Sequence, residues 1–402
     1  MSMTPKEYWI WLQLSLGQGS GKLDDILLQF DTPEAFYRAD ERERRAVRTL
    51  TAADFARLKR TGLAEAQKVI KDCARIGCRI LTPDDGEFPS RLRNIYGMPG
   101  ALYVQGSLAD IDQILTIAMV GTRTPSDYGK YAAKRIGYDL AREGAVIASG
   151  CAVGIDTLCH RAALAAGKPT IAFLGCGLDV DYPAENRQLK RDIAAIGALV
   201  TEYPPGTPPL GRNFPIRNRL ISGISLGTVV VEAPSKSGSL ITAEYALEQG
   251  KDVFAVPNNI FSGLSAGTTR LLKQGANPID SAADVLMQYR GYLAGNVQNL
   301  SKNSPEMPLI IKKDPEPKRM TASAPVTKKA AAHTVDMEKL ELSAEAKAVW
   351  EVLSERPMPA DEIFAKVDMM MGDMLAVLTE LEIEGLVRSY PGNQFGRNND
   401  TE

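Results

Sequence analysis

Histidine is nearly missing from this chain: His160 and His333 are the only two in 402 residues. Their scarcity, with no nucleophile elbow, no paired-carboxylate constellation and no cluster of metal-ligand types, leaves little for acid/base, nucleophilic or metal-dependent chemistry. His160 follows Asp156 by four residues on an expected helix, so the two share a face; an oriented buried histidine accounts for that spacing better than an acid/base pair. Cysteine is also sparse. Cys73, Cys78, Cys151, Cys159 and Cys176 are odd in number, with no CxxC and no zinc spacing, which predicts reduced, partly buried thiols in a cytosolic protein. No apolar run is long enough to span a bilayer. "YWIWLQLSL" near the N-terminus is short, follows an acidic residue and lacks a small-residue cleavage site, so a cytoplasmic location is expected. A formal charge of −2 argues against a uniformly basic coat and leaves a local basic patch open.

What is present is organised in blocks. Residues 1–75 show helical spacing, as in "AADFARLKRTGLAEAQKVI" behind a capping Thr51, and read as a small helical, SAM-like domain. Residues 76–113 carry Pro and Gly punctuation around short β-like runs and read as a connector into the core. From 114 to 295 the runs "LTIAMVG", "AVIASG", "PTIAFLG", "ALVTEY", "TVVVEA" and "DVFAVP" mostly alternate with helix-length segments. Near-continuous apolar strands separated by helices predict an α/β domain, doubly wound around a mostly parallel sheet. Residues 296–340 lose periodicity and fill with Pro, Ser and Lys, as a basic linker does. Residues 341–398 resume helical periodicity and end in "LVRSYPGNQF", the pattern of a winged-helix domain. Its expected third helix carries Asp373, Glu380, Glu382 and Glu384 and no Lys or Arg, which favours a protein contact or a regulatory role over reading of a duplex groove.

In an open parallel sheet, ligands bind beyond the carboxyl ends of the strands, so the turns after the strands gather on one edge. Those turns hold "GTRTPSDYG" with Arg123, "SGCAVGIDTLCH" with Ser149 and Gly150, and "PSKSGSLITAE" with Lys236, Ser237, Gly238 and Ser239. Small residues at helix starts present free N–H groups and favour anions. Neither GxGxxG nor GxxxxGK[ST] occurs there, which argues against NAD and ATP. The stretch "FPIRNRLISGIS" adds Phe214, Arg217, Asn218 and Arg219. Guanidinium forks suit phosphate oxygens and an aromatic ring suits a base. The same residues are equally consistent with Phe214 filling core and the arginines pairing with Glu202 or Glu232.

Together these motifs, with "IAFLGCGLDVDYPAEN", "VVVEAPSKSGSLITAEYALEQGKDVFAVP" and "GTTRLLKQGA", closely resemble the bacterial DNA processing protein A family, DprA, also called Smf. The likeness covers about residues 80–290 continuously and in order. It implies an extended Rossmann-like domain that binds single-stranded DNA and helps load RecA recombinase in natural transformation and recombination. It further implies a homodimer, flanking helical and winged-helix domains, no cofactor, no metal and no catalytic activity. By resemblance, Arg123 stands in the family's GSR-like turn, Phe214, Arg217, Asn218 and Arg219 in its FPxRNR motif, and Lys236 to Ser239 in its SGS loop. Thr122, Cys159 and Asn258 depart from the family's usual residues. The competing reading is a Rossmann-like nucleoside-monophosphate phosphoribohydrolase, but the PGGxGTxxE signature of those enzymes is absent, and Glu244 lies too far along its helix to replace the catalytic glutamate.

Overall fold

The computed structural model describes residues 4–290, 344–354, 357–367, 369, 374, 377–378, 381–382, 386–390 and 394–397. The expected linker lies outside the described residues. The chain divides into two compact units, Met1–Ile310 and Ile311–Glu402.

The first unit is built on one sheet. Its strands are β1 (Arg79–Leu81), β2 (Leu102–Gly106), β3 (Thr116–Val120), β4 (Val146–Ser149), β5 (Thr170–Phe173), β6 (Ala198–Thr201), β7 (Gly227–Val230), β8 (Asp252–Ala255) and β9 (Asn277–Pro278). They lie in the order β1-β2-β6-β5-β4-β3-β7-β8-β9. All neighbours from β6 to β9 are parallel, while β2 runs antiparallel to both β6 and β1. All six strands expected from the β-branched runs form. The stretch 76–113 is more than a connector, because its two short runs extend the sheet at its antiparallel edge.

Alternation along the central strands sends side chains to two covered faces. Ile117 and Met119 pack with Val229, Val231 and Phe254 beneath helices Asp127–Arg142 and Ile155–Ala165. Ala118 and Val120 pack on the opposite face with Leu220, Ile221 and Ile224 of helix Asn213–Ile224 and Leu240 and Ala243 of helix Ser239–Glu248.

The N-terminal helices share the first unit with the sheet. Helix Pro5–Leu16 buries six consecutive residues, Tyr8 to Gln13, the first five of them aromatic or aliphatic. A helix apolar all round must be covered on every side, and its cluster reaches Leu174, Cys176 and Leu199 of the sheet domain. Buried Gln13 fixes the junction: its amide donates to the carbonyls of Ala101 and Glu202 at 3.0 Å each, and its oxygen accepts from Ala101 N at 2.8 Å. Thr51 caps helix Ala52–Arg60 as its position predicts, its hydroxyl accepting from Asp54 N.

In the second unit, β10 (Met358–Pro359), β11 (Val387–Tyr390) and β12 (Gln394–Arg397) form a small antiparallel sheet in the order β10-β12-β11. It packs with Ala346, Val349, Ile363, Leu378 and Leu381, mostly from the helical segments, in the winged-helix arrangement. The Arg397 guanidinium carbon sits 4.8 Å from the Trp350 ring centre. Of the acidic positions expected on the third helix, Asp373, Glu380 and Glu384 lie outside the described residues.

Candidate nucleic-acid interface

The strand order reverses at β3: β4, β5 and β6 lie to one side of it and β7 and β8 to the other. This is the switch point at which a doubly wound sheet opens a crevice beyond its strand ends. The cleft found there has a volume of about 570 Å³ and is lined by Gly121, Arg123, Phe214, Arg217, Ser237 and Gly238, among others.

Glu232, just past β7, braces the crevice. Its backbone oxygen accepts from Thr122 N at 2.7 Å, and its buried carboxylate accepts from Ser126 N at 2.8 Å, Ser126 Oγ at 2.6 Å and Asn258 Nδ2 at 2.9 Å. The carboxylate thus holds the turn after β3 and takes neither arginine. Asn258, a departure from the family's usual residue, serves as a partner of this brace. The brace leaves Arg123 exposed at the mouth of the cleft, its guanidinium carbon 5.8 Å from the centre of the Phe214 ring.

"FPIRNRLISGIS" is a helix, Asn213–Ile224, with Pro215 tolerated in the first turn, where the N–H has no helical partner to lose. Half-buried Phe214 packs on Gly175 and against Tyr182, with ring centres 5.5 Å apart. It also lies 5.8 Å from the Arg217 guanidinium carbon, so its ring is flanked by two cations. Arg217 is buried. Its Nη1 donates to Gly150 O at 2.7 Å and to Phe173 O, and its Nε donates to Asn218 Oδ1 at 3.2 Å. Its Nη2 makes no hydrogen bond among the described residues, on a side chain that lines the cleft. Burial lowers the Arg217 guanidinium from its ordinary value, with Asp156 acting in the opposite direction. Burial also raises the Asp156 carboxyl, against Arg217 and the N–H groups of Ala152 and Gly150.

Three expected contacts are otherwise engaged. Arg219 faces away from the cleft and pairs with Glu202 at 2.7 Å, both side chains buried, which is the pairing alternative the sequence left open. Ser149 is buried and its hydroxyl donates to Met119 O at 2.6 Å. Gly150 spends its N–H on Asp156 and its carbonyl on Arg217; a Cβ there would stand 2.5 Å from Arg217 Nη2, so only glycine admits that guanidinium.

The turn after β7 keeps donors free. Lys236 is exposed, and Gly238 N has no partner among the described residues. Ser237 and Ser239 share a hydrogen bond between their hydroxyls at 2.7 Å, and Asn218 Nδ2 anchors the turn by donating to Gly238 O at 3.2 Å. Asn218 thus holds this turn in place while also lining the cleft. Tyr182 was not singled out from sequence, and Glu232 only as a possible partner of the arginines, since only the strand order brings the one beside Phe214 and the other beside Ser126.

His160 is the buried structural histidine its spacing suggested. The Thr170 hydroxyl donates to Ile147 O at 2.6 Å, so His160 Nδ1 donates to Thr170 Oγ1 at 2.7 Å and the buried Nε2 is left unpartnered. Burial, with Arg217 adding to it, pushes its pKa down to about 3 from 6.5. The folded state holds this imidazole neutral, so its contribution is complete above the unfolded value and is lost as pH falls from 6.5 towards 3. Between pH 7 and pH 5 the protein is expected to lose about 2 kcal/mol from this group. Urea unfolding of wild type and His160→Gln at both values checks it, since the variant should lose less.

Glu244 is exposed on helix Ser239–Glu248 and is not among the residues lining the cleft. Among the described residues no group of three or more His, Cys, Asp or Glu is placed to hold a metal, and no helix is long and apolar enough to cross a membrane.

Comparison with known proteins agrees with this layout. Residues 79–290 match the family model for DNA recombination-mediator protein A, and residues 334–393 match the DprA winged helix domain. Protein Smf of Synechocystis is 37% identical over 333 residues, covering 79% of this chain and 80% of the relative. DNA processing protein DprA of Streptococcus pneumoniae is 43% identical over 205 residues, 51% of this chain and 72% of the relative. The X-ray structure of that pneumococcal protein superposes with a TM-score of 0.63 at 33% identity, covering 72% of this chain and 99% of that one.

Proposed function

The chain belongs to the DNA recombination-mediator protein A family, and from that premise we propose that it binds single-stranded DNA in the switch-point cleft, as a cytoplasmic, non-enzymatic mediator that delivers the strand to RecA recombinase. The reading includes action as a homodimer. The observation that carries it is the convergence, at one crevice, of exposed Arg123, the spare Nη2 of Arg217, the free N–H of Gly238 and the half-buried ring of Phe214, with exposed Lys236 in the same turn between the lining residues Pro234 and Ser237. Phosphates meet the cations and the N–H group, while bases remain free to stack. Arg219, Ser149 and the Gly150 backbone support this site from behind and do not touch the strand.

The discriminating experiment is fluorescence anisotropy of a labelled strand beside its duplex. Tighter binding of the single strand, with little sequence preference, is expected. A phosphoribohydrolase would instead release free base from nucleoside monophosphates. With Glu244 outside the cleft lining, no release is expected.

A further inference from the structure

The exposed hydrophobic side chains include one group beside the cleft. In the turn after β8, Phe261 is 90% exposed and Ile260 73%, and Tyr128 and Tyr131, one turn apart on helix Asp127–Arg142, are each about half exposed. Single exposed apolar side chains are common, but a group of them marks a candidate interaction site. The turn is also well held. Asn259 Oδ1 accepts from Phe261 N at 3.0 Å, Ser265 Oγ donates to Asn259 O at 2.6 Å, and Tyr128 Oη donates to Pro257 O at 2.7 Å. Asn258 ties it to Glu232, the same carboxylate that braces the turn bearing Arg123.

We propose that the Ile260–Phe261 tip is a base-stacking subsite that continues the single-strand path from the cleft across the ends of β7 and β8. This rests on the reading of the cleft as a strand-binding site. Neighbouring strands lie about 4.8 Å apart, so the β8 turn begins about 5 Å from the turn carrying Lys236 and about 10 Å from that carrying Arg123. A strand whose phosphates leave the cleft over Lys236 brings its next bases to the tip. A cationic track beside exposed aromatic side chains is the arrangement that sequence-tolerant single-strand binders use.

Phe261→Ala should leave the fold intact, because the ring is exposed. Anisotropy against oligothymidylates of increasing length, from about 4 to 16 nucleotides, is expected to show unchanged binding of the shortest oligomer. Binding of the longer ones should weaken by about 5- to 150-fold. The slope of log affinity against log salt should stay as in wild type, since no phosphate contact is lost. In Phe261→Trp, the added indole fluorescence should be quenched by the longer oligomers and unaffected by abasic strands of equal length. Wild-type binding by Phe261→Ala at every length overturns the subsite while leaving the cleft reading in place. A DNA-free change in oligomeric mass in Phe261→Ala, measured by light scattering, with strand binding kept, also overturns it and assigns the tip to contact between copies. If wild type binds no strand even at low salt, the cleft reading falls and the subsite with it.

Discussion

Arg219→Ala is expected to destabilise the protein by about 3–5 kcal/mol, although the residue belongs to the stretch that most suggests DNA contact. The substitution leaves Glu202 buried without its cation. Even the intact pair is under-satisfied: Glu202 Oε2 and Arg219 Nε and Nη1 are buried with no hydrogen-bond partner. Burial raises the Glu202 carboxyl, with Arg219 opposing. Replacing both members by apolar residues of similar volume, Glu202→Leu with Arg219→Met, should therefore restore much of the stability or exceed it. Urea unfolding of the single and double variants checks this. Strand affinity, corrected for the folded fraction, should stay near wild type in the double variant. An Arg217, Arg219 double-alanine variant would lose binding through misfolding, and its loss would say little about DNA.

Arg123→Ala and Lys236→Ala carry the largest expected effect on binding. Both side chains are exposed, so neither truncation opens a cavity or strands a buried charge. A hydrogen bond to a charged group contributes about 1.5–3 kcal/mol, so each variant should bind the strand about 10- to 150-fold more weakly. Each should also lower the slope of log affinity against log salt by about 0.7, one phosphate's share on a single strand. Thermal unfolding should be unchanged within about 0.5 kcal/mol. A stability loss matching the affinity loss would place these side chains in the support of the fold.

Much of this was legible in the sequence because its cause is local. Six strands declared themselves as β-branched runs, three closed by glycine and three by proline, and the strand-end rule placed Arg123 and the Lys236–Ser239 turn on one edge. The runs at Arg79–Leu81 and Leu102–Gly106 were harder to place. They are short and sit among proline and glycine; Leu102–Gly106 owes its strand state to pairing with β6, far away in sequence, and Arg79–Leu81 in turn to pairing with Leu102–Gly106. Directions were the larger gap. Residues two apart on a helix point about 200° apart, so once Asn213–Ile224 is helical, Arg217 and Arg219 cannot both face the cleft. The proline near its start concealed the helix, although a first-turn proline is compatible with one. Glu232 was unreadable as a brace because its partners, Thr122, Ser126 and Asn258, come from two other turns.

In the proposed function, exposed Arg123 in the cleft and Lys236 on the turn beside it hold a single strand by its phosphates. The most direct measurement is anisotropy of one labelled oligothymidylate across a salt series, with wild type beside an Arg123→Ala, Lys236→Ala double variant whose unfolding midpoint has been shown to be native. Steep, salt-dependent binding by wild type is expected, with the slope reduced by about 1.4 in the variant. Equal slopes and affinities would contradict it and place the strand, or a different ligand, elsewhere on the molecule.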